Sequence, residues 1–237
     1  MANGFVAVSL LAVGLLAGLP AEASVIYTSR TSTVFGNCGQ QVVGCTSYSQ
    51  TSTDFSPFSA SFSGPDPGNT DSSQYQVSQQ STLAQNQVTV TMSAYKQGFD
   101  SASSSFDLHF TVDTPTDFTM SGKIGYWYWT TSAAIDLSGP THFGLFDVSC
   151  SSSGDYNTCN YSNQFWIPPD SVKTLSPGDY ELRVTAAGGG ADYMGGGRNA
   201  TANFTMTFAP APVPVPAAVW LFASGLLGLR RLKRSVS

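Results

Sequence analysis

The chain has 237 residues, a formal net charge of −5 and a charged fraction of only 11%, which excludes the basic face that a nucleic-acid binder needs. Hydrophobic residues make up 41% and aromatics 12%, enough for a packed core and too many for wholesale disorder. The 33 serines and 23 threonines stand where Lys and Glu usually sit, so the surface is hydrated but nearly uncharged, and strands are favoured over long helices.

At the N-terminus an apolar run over residues 5–19 follows a short n-region without Lys or Arg. Ala21 and Ala23 then supply the small-x-small pattern of signal-peptide cleavage and place the cut before Ser24. Residues 1–23 are read as a signal peptide handed to the Sec translocon.

From residue 24 the chain shows period-2 alternation, which marks half-buried strands. Val88, Val90, Met92 and Ala94 alternate with Thr89, Thr91 and Ser93. Phe106, Leu108, Phe110 and Val112 share one face, and Asp107, His109 and Thr111 the other. Tyr180, Leu182, Val184 and Ala186 oppose Asp179, Glu181, Arg183 and Thr185; Ala202, Phe204, Met206 and Phe208 oppose Thr201, Asn203, Thr205 and Thr207. Weaker strands are expected at 24–33, 41–43, 58–62, 118–129 and 142–148, eight or nine in all. No segment of the body carries a long 3.6-residue period. Pro177-Gly178 reads as a tight turn feeding the strand at 179–186, with Gly178 taking a positive φ. The pattern predicts an all-β domain over 24–208, a single antiparallel β-sandwich of jelly-roll-like or immunoglobulin-like type. Residues 209–216, APAPVPVP, form an extended Pro-rich spacer.

Cys38, Cys45, Cys150 and Cys159 are even in number in a chain read as exported, and so predict disulfides. Local pairs, 38–45 and 150–159, are favoured among the three connectivities that four cysteines allow. Their spacings of six and eight intervening residues do not match zinc C-x₂-C patterns, and neither a metal nor any other cofactor is expected.

Site chemistry is sparse. His109 and His142 are the only histidines; alternation points His109 outward beside Asp107. No G-x-S-x-G elbow, H-E-x-x-H or phosphate loop occurs, so a surface role for both histidines is the better reading. Asp107, Asp113 and Asp117 cluster in sequence and could supply a glycosidase pair. Asp66, Asn69 and Asp71 could offer oxygens to calcium, although such residues are also what a solvated turn contains. Tyr126-Trp127-Tyr128-Trp129 alternates in a strand, so Trp127 and Trp129 share one face; exposed, they would stack on sugar rings, and covered, they are packing residues.

The C-terminus carries the most specific signal. Residues 217–229 are an apolar stretch of 13, roughly 20 Å as a helix and short of the about 20 residues of a full span. Arg230, Arg231, Lys233 and Arg234 follow and hold the tail in the cytoplasm by the positive-inside rule. Val213-Pro214-Val215-Pro216-Ala217, this short apolar helix and the terminal basic cluster, in that order, resemble the PEP-CTERM sorting signal of Gram-negative bacteria, in its VPLPA-CTERM variant. Val215 stands where that variant usually has Leu. The match covers about 25 residues, 213–237. The resemblance implies processing near the Pro motif by an exosortase, a membrane-embedded transpeptidase. It also implies a cell-surface or exopolysaccharide-associated destination after transient anchoring in the inner membrane.

Without both ends, 24–216 holds 6 basic and 14 acidic side chains, a net charge near −8. The leading expectation is an exported, non-catalytic surface or matrix protein associated with exopolysaccharide in a biofilm. A glycan-binding module using the Trp127/Trp129 face and a secreted hydrolase using the Asp cluster are the alternatives.

Overall fold

A computed structural model describes residues 25–37, 47–64, 74–97, 100–127, 131–140, 143–149, 163–167, 172–188 and 198–211. These form thirteen strands: β1 (Val25–Asn37), β2 (Tyr48–Ser52), β3 (Phe58–Gly64), β4 (Gln74–Ala84), β5 (Gln87–Gln97), β6 (Ser101–Val112), β7 (Thr116–Trp127), β8 (Thr131–Ser138), β9 (Phe143–Ser149), β10 (Asn163–Ile167), β11 (Lys173–Leu175), β12 (Gly178–Gly188) and β13 (Arg198–Pro210). One sheet runs β2-β1-β6-β12-β8-β9 and the other β10-β7-β13-β5-β4-β3, with β11 beside β7. Every pairing is antiparallel. The protein is thus all-β, as composition and alternation predict. The sheets lie face to face: β4 over β1 and β6, β5 over β6 and β12, β13 over β12 and β8.

The strands form where side chains alternate between core and water. All four alternations read from the sequence hold: Phe106, Leu108, Phe110 and Val112 of β6, and the matching residues of β5, β12 and β13, are buried. Burying one such large side chain contributes about 1.5–3 kcal/mol. Phe110 stacks on Tyr180 at 5.5 Å and meets Phe208 edge-on at 5.4 Å, joining the two sheets. Gly178 has the positive φ expected, 146°, but stands as the first paired residue of β12, opposite Val112. A Cβ there would also come within 2.5 Å of Pro140.

Where β4 and β8 escape the sequence reading, small or polar residues share the inward positions with large apolar ones. Thirteen strands replace the eight or nine expected. In β4, Tyr75, Val77, Gln79 and Ser81 face inward; in β8, Thr131, Ala133, Ile135 and Leu137 do. Hydropathy contrast between the two faces of such strands is weak. The expected strand at 41–43 lies outside the described residues, as do 128–129 at the end of the expected strand 118–129.

Candidate functional site

Most residues singled out in the sequence lie outside the described residues. These are Ala21 and Ala23, all four cysteines, His142, Asp66, Asn69, Asp71, Trp129, the motif at 213–217 and the basic cluster Arg230, Arg231, Lys233 and Arg234. Trp127 is placed as backbone at the end of β7, opposite Asn199 of β13.

His109 and Asp107 do point outward from β6, and β12 completes their surroundings. Register sets Glu181 opposite His109 and Arg183 opposite Asp107; Asp136 of β8 faces Arg183 from the other side. His109 Nε2 lies 3.3 Å from Asp107 Oδ1, and Arg183 Nε 3.6 Å from Asp107 Oδ2. The Arg183 guanidinium also donates to Glu181 Oε1. One ligand-type atom from each of Asp107, His109 and Glu181 falls within 4.8 Å of the others. Half of the His109 side chain is exposed, so these pairs are screened and worth about 0–1 kcal/mol each. An open depression of about 620 Å³ adjoins them, lined by Ser29, His109, Ser138, Asp179, Tyr180 and Glu181 among others.

The Asp cluster of the sequence does not assemble. Asp107 stands on β6 in one sheet; Asp117 stands on β7 in the other, where its Oδ1 accepts a hydrogen bond from Thr174. Asp113 sits exposed in the turn between them. The carboxylate brought beside Asp107 is Glu181, about seventy residues away in sequence, a partner that only strand register reveals.

A buried polar network, which alternation gave no reason to expect, lies between β1, β4 and β6. The Arg30 guanidinium is 1% exposed. It donates from Nε to Ser32 Oγ (3.0 Å), from one terminal nitrogen to Ser81 Oγ (2.8 Å), and from the other to Asp54 O (3.1 Å) and Ser56 O. Phe58 and Phe106 present their rings to it at 5.8 and 5.9 Å. Burial lowers its pKa, and the nearby Asp54 charge partly offsets this. Beside it the Gln79 amide, with its nitrogen toward Ser104, donates to Ser104 Oγ (3.0 Å), Ser105 O (3.1 Å) and Thr33 O (3.2 Å), while its oxygen accepts from Ser32 Oγ (3.2 Å).

Charged side chains are unevenly spread over the outer faces; β7 of the second sheet carries Asp117 and Lys123 outward, beside β13. On the first sheet Asp107, His109, Asp136, Asp179, Glu181 and Arg183 gather over β6, β12 and β8. On the second, no outward side chain of β3, β4, β5 or β13 is charged; those strands present Ser, Thr, Gln and Asn there, with Tyr95 and two alanines. Hydroxyls meet across strands, Ser78 with Ser93 at 2.8 Å and Thr89 with Thr205 at 3.5 Å.

No family model and no curated protein matches the chain. Among solved structures it is similar to chains of infectious bursal disease virus, Gt strain (11% identity, TM-score 0.28) and Gx strain (12% identity, TM-score 0.25). Each likeness covers 85% of this chain; the chain spans 61% and 60% of the viral chains' lengths.

Proposed function

We propose that this protein is an exported, non-catalytic component of the cell surface or extracellular matrix, delivered by an exosortase-type system and associated with exopolysaccharide. In this reading an N-terminal signal helix engages the Sec translocon and is removed. A C-terminal hydrophobic helix then holds the body outside the inner membrane until the chain is processed near Pro214 and Pro216.

The observation that carries the reading is the sequence order of the C-terminal parts: Pro motif, short apolar stretch, basic cluster. β13 runs to Pro210, so the first two residues of the expected spacer pair with β7 and the Pro-rich run continues from the end of the sheet. A semi-rigid spacer there keeps the sandwich clear of the bilayer while the tail is cut.

The test is maturation in a host that carries an exosortase. Replacing Arg230, Arg231, Lys233 and Arg234 by Ser removes the charges that retain the tail inside. The expected outcome is accumulation of the unprocessed form and loss of surface-associated protein. Unchanged maturation would refute the sorting role of the cluster.

A further inference from the structure

We propose that Asp107, His109 and Glu181, on the outer face of the first sheet, bind a divalent transition-metal ion, with zinc the ion that fits the donors best. The inference goes beyond the sorting reading and does not depend on it.

The site follows from strand register. Asp107 and His109 stand two residues apart on β6 and so share its outer face. Pairing with β12 then sets Glu181 opposite His109 and Arg183 opposite Asp107. One donor atom from each of Asp107, His109 and Glu181 lies within 4.8 Å of the others. His109 Nε2 and Asp107 Oδ1 are 3.3 Å apart, close to the separation of about 3.4 Å between two ligands of a tetrahedral zinc ion. Rotation about the longer Glu181 side chain closes the rest.

Other observations point to an ion. Asp107 Oδ1 is shut off from solvent and accepts no hydrogen bond, not even from His109 Nε2 beside it. An anionic oxygen so placed is costly to leave without a partner. A cation between the oxygen and the imidazole nitrogen supplies one to both. Arg183 engages the opposite sides of the carboxylates: it donates to Glu181 Oε1, and its Nε lies 3.6 Å from Asp107 Oδ2. One oxygen of each carboxylate is left for the ion, and the guanidinium orients both groups from outside. Next to His109, β1 steps out of register between Tyr27 and Ser29. Thr28, Ser29, His109 and Glu181 line the open depression of about 620 Å³ there. Three protein ligands leave a fourth position for water, and the depression gives water access to it.

The donor set selects the ion. One imidazole nitrogen with two carboxylate oxygens suits zinc, whereas calcium takes roughly six to eight oxygens. Asp136, opposite Arg183, and Asp179, hydrogen-bonded to Thr111, add negative charge around the site and draw cations to this face.

The experiment is zinc titration of the full-length chain in detergent, stripped beforehand with a chelator, in competition with a coloured zinc indicator. Any free thiols are alkylated first, which keeps cysteine sulfur out of the readout. The expected result is one zinc ion per chain and an unfolding midpoint that rises with zinc, with neither effect from calcium. His109→Ala and Glu181→Gln should each weaken zinc binding by about tenfold or more and abolish the rise. Their zinc-free midpoints should match the parent's, because both side chains stand on the outer face. His142→Ala should bind zinc as the parent does. No zinc bound, binding indifferent to His109→Ala or Glu181→Gln, or binding that follows His142 instead would overturn the proposal. The titration needs no export, so its failure leaves the sorting reading standing, and a failure of sorting leaves the metal site.

Discussion

Arg30 shows how one residue is placed by opposing demands. A buried guanidinium is costly to desolvate, and β1 would be better served at that position by an aliphatic side chain. What offsets the cost is use of four of its five N–H donors, on two serine hydroxyls and the carbonyls of Asp54 and Ser56, with the rings of Phe58 and Phe106 beside it. The carbonyls belong to the segment between β2 and β3, so Arg30 ties the edge of one sheet to the edge of the other. Arg30→Ala should destabilise the fold by about 2–4 kcal/mol, through a cavity and two orphaned carbonyls. Urea denaturation measures this; a midpoint equal to that of the parent would show that the network contributes nothing.

Strands differ in how plainly the sequence announces them. In β5, β6, β12 and β13 four apolar residues hold consecutive inward positions, so alternation identifies both the strand and its buried face, although Lys96 of β5 and Ser104 of β6 are buried there too. β4 is QYQVSQQSTLA, and two of its inward residues, Gln79 and Ser81, are polar because they complete the Arg30 network. Its pattern makes sense only after partners from β1 and β6 are present. The same limit applies to sites: the outward pair Asp107 and His109 is legible within one strand, whereas Glu181 and Arg183 join it through pairing of distant segments. The hydroxyl content was visible as composition, but not its alignment across strands, as in Ser78 beside Ser93. Tyr27 of β1 links the sheets in another way, donating from its hydroxyl to Ala84 O of β4 at 2.8 Å. Burial pushes its pKa up to about 12 from 10.0. Because the folded state holds this proton more tightly, its contribution is whole below pH 10 and is lost as pH rises toward 12. Stability measured across that window should fall less steeply in Tyr27→Phe. Identical slopes for the two proteins would contradict the assignment.

For the whole molecule, the described body and the ends divide the work. The body between the two ends is acidic, and its described strands form two facing sheets; in the proposed reading the terminal segments carry the address. Nothing in the proposed role requires chemistry at the His109 cluster. The central claim is that the chain is exported, oxidised and cut at its C-terminal motif. Intact mass spectrometry of the protein recovered outside the cells, before and after reduction, tests all three together. The account predicts a chain that starts at Ser24 and ends near the 213–217 motif, and that gains the mass of four hydrogens on reduction. A mass that still includes Trp220 to Ser237, found only in the membrane fraction, would contradict it.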